Sequence, residues 1–130
     1  MSPSQLHKQV PVKVTAYVDE GIANLVVILN NIPQVSTFSS CEGRLGKHRD
    51  DAHIYFDYGI PNKQSWYSSG KFASKLAKVL SENGSYDTEI ALEWTGDKET
   101  PYISIKIYPE QIAEVFKILL DHKNEFFYDT

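Results

Sequence analysis

The sequence predicts one α+β domain, and three observations carry that prediction. Apolar and polar residues alternate over several short stretches, the period of a half-buried strand. Apolar residues recur at i, i+3, i+4 and i+7 over three longer stretches, the period of one helical face. The two kinds of stretch interleave along the chain. With 130 residues, 42% of them hydrophobic and 23% charged, the chain can bury a core without disulfides or structural metal.

Residues 1–10 are polar and read as a flexible tail, leaving 11–130 as the domain. Val12, Val14, Ala16 and Val18 alternate with Lys13, Thr15 and Tyr17, which predicts a first strand. Asp19 is suited to capping a helix, and Ile22, Leu25, Val26 and Leu29 supply its apolar face. Asn30-Asn31-Ile32-Pro33 ends that helix, because Pro33 disfavours helical geometry in the residue before it. Val35 to Ser40 reads as a short strand leading into Cys41, and Cys41 to Ala52 as a charged loop. His53 to Tyr58 resumes as a strand with Ile54, Phe56 and Tyr58 on one face.

Gly59 to Ser69 carries loop residues, and Ser69 is the expected cap of a second helix with the stripe Phe72, Leu76, Val79 and Leu80. Gly84 suits a left-handed stop after it. Tyr86 to Trp94 alternates throughout, and Ile103, Ile105 and Ile107 form the return strand. Pro109 fits a first helical position, and Ile112, Val115, Phe116 and Leu119 define a last helix running toward Phe126. The first six elements, β-α-β-β-α-β, match the ferredoxin-like split βαβ arrangement. A further strand is expected to extend the sheet beside its hairpin partner, and the last helix to cover part of a face. The two halves share an α-β-β grammar without a residue-level repeat.

The formal net charge is -4 and the isoelectric point about 5.5, which argues against a large nonspecific DNA-binding face. A single cysteine excludes an internal disulfide framework and suggests a reducing compartment. No stretch has the apolar core of a signal peptide or approaches the roughly 20 apolar residues of a membrane span, so a cytoplasmic location and no membrane partner are expected. Many of the eight tyrosines fall in predicted strands, where sheet packing accounts for them.

The densest chemistry lies in Ser39-Ser40-Cys41-Glu42-Gly43-Arg44. Buried polar groups need partners, so such a run reads as a loop built to hold something. Gly43 permits a tight turn, consecutive amides can form an anion-binding nest, and the Arg44 fork suits phosphate or carboxylate. Ser39, Ser40, Cys41, Glu42, Gly43 and Arg44, with His53, are therefore the candidate binding residues, for a small anionic ligand or an RNA phosphate. The alternative is an ordinary turn with Arg44 paired to Glu42 or Asp50. Cys41 is also a candidate nucleophile, with His48 or His53 as its base, although a free cysteine is often a small buried hydrophobe. The spacing of Cys41, His48 and His53 matches no usual zinc signature, so no metal is expected. Arg44, Lys47 and Arg49 are offset by Glu42, Asp50 and Asp51, which narrows a nucleic-acid contact to one phosphate. Asp87, Glu89 and Glu93 read as a solvated strand face, within reach of Lys106 on the next strand. No P-loop, GxGxxG or GxSxG is present.

Two resemblances are carried by motifs. Asp19-Glu20-Gly21-Ile22, Asn30-Asn31-Ile32-Pro33 and Ser40-Cys41-Glu42-Gly43 together resemble a family of small bacterial and phage proteins with a D-x-G-I helix start, an N-x-I/L-P stop and an S-C-x-G loop. That resemblance implies no particular activity. Ser39-Ser40-Cys41-x-Gly43-Arg44 is similar to the SSCSGR signature of the wybutosine-synthesising tRNA methyltransferase family, with Glu42 in place of a serine. This second resemblance implies tRNA modification with S-adenosylmethionine. The residues alone assign no cofactor. An interaction module without a small-molecule site, dimerising through an edge strand, is a third expectation.

Overall fold

A computed structural model describes residues 18–45, 50–60, 64–85, 87–96 and 100–127. A single 3-10 turn over Glu20–Ile22 leads into α1 (Ala23–Asn30). Two strands follow, β1 (Val35–Cys41) and β2 (Ala52–Tyr58). Next come α2 (Trp66–Glu82), β3 (Glu89–Glu93) and β4 (Tyr102–Ile107). A 3-10 turn begun by Pro109 then opens α3 (Ile112–Asp121), and α4 (Lys123–Phe127) ends the described chain. The fold is α+β, with a four-stranded sheet in the order β1-β2-β4-β3 and every neighbouring pair antiparallel.

The isoleucines of β4 place it inside the sheet. Ile103, Ile105 and Ile107 are fully buried on one face, and Ser104 is buried on the other. A strand covered on both faces belongs at the centre, where both of its backbone edges find partners. Hence β4 stands between β2 and β3, not merely beyond its hairpin partner β3. In the ferredoxin-like order the flank of β2 that β4 occupies would hold the first strand, and that order is not seen among the described strands. Of the segment expected as that first strand, residues 12–17 lie outside the described residues and Val18 is in no strand. What stands instead is an α-β-β unit followed by a second one, meeting at the β2–β4 pair.

The register separates two faces. Ala52, Ile54 and Phe56 of β2 lie opposite Ile107, Ile105 and Ile103 of β4, and these side chains form the core with Leu25, Leu29, Leu76, Leu80, Val115 and Leu119 of the helices. Phe72 of α2 meets Phe56 edge to face at 6.0 Å, stacks on Tyr58 at 4.2 Å and touches Phe126 of α4 at 5.8 Å. Offset and edge-to-face pairs of this kind add to area burial. The described helices therefore pack on this inner face. The outer face carries Ser36, Ser39 and Cys41 of β1, His53, Tyr55 and Asp57 of β2, Tyr102, Ser104 and Lys106 of β4, and Glu89, Ala91 and Glu93 of β3.

Two helix starts differ from the sequence expectation. Asp19 sits at the head of the first turn, but its side chain makes no cap bond there. The second helix begins four residues early: Ser65 is its cap, its hydroxyl accepting from the Ser68 amide at 3.0 Å, and Ser69 is buried within the helix. Trp66 and Tyr67, which the Ser-rich run made look like loop, form the first helical positions and are exposed. Gly84 takes a φ of 96° after α2, as its position suggested. Among the described residues no helix is long and apolar enough to cross a membrane.

Candidate functional site

One extra residue in β1 decides where Cys41 points. Val35, Ser36 and Thr37 pair in sequence with Tyr58, Asp57 and Phe56. The register then slips between Thr37 and Ser39, so that Ser39, Ser40 and Cys41 face Tyr55, Ile54 and His53. Phe38 is the extra residue of a β-bulge. Regular pairing from Val35 onward would have set Cys41 against Ala52, on the core side. The bulge moves it to the outer face, directly opposite His53. Bulges commonly re-aim side chains in this way. Cys41 is half-buried, and its sulfur accepts from the Gly43 amide at 3.4 Å.

The loop after β1 is fastened to the first helical turn. The Glu42 amide donates to the Asp19 carboxylate at 3.0 Å, and the Gly21 amide donates to Glu42 Oε1 at 2.7 Å. Asp19 thus serves the loop instead of its own helix. Gly43 follows with a φ of 74°, and a Cβ there would come within 2.5 Å of the Asp50 carbonyl oxygen, so only glycine fits. Arg44 and Asp50 then close the loop twice. Their backbones form a two-bond bridge at 2.9 and 3.1 Å, and Arg44 Nε and Nη2 both donate to Asp50 Oδ2 at 2.8 and 2.5 Å.

These contacts change the roles read from the sequence. The amides of Glu42, Gly43 and Arg44 all have partners inside the protein. Glu42 and Gly43 shape the loop, and Arg44 has the Asp50 partner that the turn alternative named. Two of its five N–H donors face Asp50, and its side chain is 67% exposed. Ser39, Cys41 and His53 share the outer face, whereas Ser40 pairs with Ile54 on the inner one. His48, Lys47 and Arg49 lie outside the described residues. A shallow groove of about 410 Å³ runs beside the loop, walled by Gly21, Glu42, Arg44, Leu45, Pro109 and Ile112.

The outer face also holds an aromatic stripe that sequence reasoning assigned to ordinary strand packing. Phe38, Tyr55 and Tyr102 come from β1, β2 and β4. Phe38 meets Tyr102 edge-on at 5.3 Å and Tyr55 at 6.3 Å, and Tyr55 lies 5.4 Å from Tyr102. His53 stacks on Tyr55 at 4.5 Å with 24° between the planes. Burial, the carboxylate of Glu93 and the neighbouring Tyr55 push the Tyr102 hydroxyl's pKa up, against the pull of Lys106. Beneath the rings, between Tyr55 and Ala91 in the ladder, Ser104 is 1% exposed, and its hydroxyl has no hydrogen-bond partner among the described residues. The phase of Tyr55 and His53, opposite to that of Ile54 and Phe56, was the signal available in the sequence. Alternation from Val35 also puts Phe38 outward, but nothing in the sequence set it beside Tyr102.

Comparison of the chain with protein-family models, curated proteins and solved structures found no match.

Proposed function

We propose that the chain is a binding module that holds a small anionic ligand, a phosphate group in the simplest case, at the corner formed by the Ser39–Arg44 loop and His53. The observation that carries this reading is the pairing of Cys41 with His53 on the outer face, with Arg44 rising beyond them on a loop locked at both ends. A fixed loop lowers the ordering cost of binding. Arg44 keeps three N–H donors beyond those facing Asp50. Ser39 and His53 supply a hydroxyl and an imidazole on the same face, in neighbouring outward rows. Glu42, Gly43 and Ser40 act by holding the loop's shape.

In this reading Asp50 competes with the ligand for Arg44. Titration with inorganic phosphate, followed by the chemical shifts of the Arg44 and His53 side chains, tests it. Arg44→Ala is expected to remove the response and Asp50→Asn to strengthen it. Binding that both variants leave unchanged would place the site elsewhere.

A thiol chemistry is the second reading, favoured by one contact. The Gly43 amide donates to the Cys41 sulfur, which holds the thiol on the outer face opposite His53. The rate of Cys41 alkylation against pH tests it: a profile matching an unperturbed thiol, unchanged in His53→Ala, removes this reading.

A further inference from the structure

We infer that the ligand is a nucleoside monophosphate, its base lying on the Phe38–Tyr55–Tyr102 stripe and its phosphate toward His53, Lys106 and Arg44. This rests on the anion site proposed above and names the class of molecule that site accepts. Sheet faces recognise bases by stacking them on exposed aromatic rings, and stacking tolerates any base because every base has a π-face. Here three rings from three adjacent strands gather on the face away from the core, and Phe38 is 49% exposed. Phe38 faces outward by plain alternation from Val35, and the bulge that follows it turns Cys41 to the same side, so the rings and the Cys41–His53 pair share one face.

The basic groups of this face gather at one end of the strands, with Glu89 beside Lys106 in the same row. His53 pairs with Lys106 in the row of Cys41, nearest the Arg44 loop. Glu93 pairs with Tyr102 at the opposite end. A nucleotide has the same polarity: an anionic phosphate at one end, and at the other a base whose amino groups donate to carboxylates. The Tyr55 row and the His53–Lys106 row are two residues apart, about 7 Å along a strand, a span that a ribose bridges. Ser104 adds a hydroxyl beneath the rings that has no hydrogen-bond partner among the described residues.

A single nucleotide fits better than a nucleic-acid strand. The stripe covers two strand spacings, about 10 Å, and Glu89 and Glu93 bound it on the β3 side. With a net charge of -4 the chain offers little to neutralise a run of phosphates.

Calorimetric titration of the whole chain with adenosine monophosphate, adenosine, inorganic phosphate and a short single-stranded RNA tests the inference. The monophosphate is expected to bind at least about tenfold more tightly than inorganic phosphate. Tyr55→Leu and Tyr102→Leu are each expected to remove about tenfold of that affinity, the scale of one lost base stack. Both variants are checked for the wild-type circular dichroism spectrum, and having two guards against one that fails to fold. If phosphate binds through Arg44 but adenosine monophosphate binds no better, the stacking inference fails while the anion site stands. If neither binds, both fail. Tighter binding of RNA, per nucleotide and with a steep salt dependence, overturns the assignment to a mononucleotide.

Discussion

Gly21 and Glu42, twenty-one residues apart, touch so closely that a methyl group on Gly21 would lie 2.6 Å from Glu42 Oε1, the oxygen to which the Gly21 amide donates. The D-x-G start and the S-C-x-G loop are therefore two sides of one contact, completed by the Glu42 amide on Asp19. Gly21→Ala is expected to push the flexible carboxylate aside and lose the bond, at a cost of about 1–2 kcal/mol and a few degrees in Tm. Glu42→Ala should cost a similar amount. In the double variant the second change should cost little, because the bond is already gone. Additive losses in thermal denaturation would show that the two residues act separately.

The start of α2 separates two serines that look alike in sequence. Ser65 accepts from the Ser68 amide, so Ser65→Ala should destabilise by about 1 kcal/mol. Ser69 is fully buried, and its hydroxyl has no partner among the described residues, so Ser69→Ala should be neutral or slightly stabilising. Urea denaturation of the two variants checks this. The opposite order would restore Ser69 as the cap.

The isoleucine phases of β2 and β4, the amphipathic stripes of all three main helices, and the stops at Asn30 and Gly84 were legible because local periodicity and turn chemistry determine them. Sheet order was not, because it depends on which strand buries both faces, and the burial of Ser104 cannot be read from alternation. The candidate loop was legible as unusual, but the roles of its residues were not. Asp19 read as a cap and bonds a loop amide. Glu42 read as a ligand group and fastens a helix start. The aromatic stripe was hidden with the sheet order, since Tyr102 meets Tyr55 and Phe38 only because β4 lies beside β2. The outward thiol was hidden because a one-residue slip reverses the side chains beyond it, and no residue in Thr37-Phe38-Ser39 marks that slip.

Tyr102 should make stability fall with pH in the alkaline range. Its folded pKa is raised by burial, Glu93 and Tyr55, so the fold favours the protonated hydroxyl. The resulting stabilisation is fully present below the ordinary tyrosine range and is lost as pH rises through the raised folded value. Tyr102→Phe should flatten that loss. Glu93→Gln should lower the pKa, because it removes a nearby negative charge. Denaturation midpoints measured across the alkaline range for the three proteins check this, and equal slopes would discount the local cause.

The bulge makes a covalent prediction that a regular strand reverses. Directly opposed residues in an antiparallel pair have Cα atoms about 4.5–5.5 Å apart, within the range a disulfide spans. Cys41 faces His53 across the ladder, so His53→Cys should form an internal disulfide with Cys41 under mild oxidation. Ala52→Cys should not, because residue 52 points into the core beneath the sheet. Pairing without the slip would put Cys41 opposite position 52 and invert the outcome. Thiol titration and intact mass before and after oxidation read the result for both variants. Dilute protein keeps the bridge within one chain. A bridge in the Ala52→Cys chain alone would remove the bulge, and with it the outward thiol.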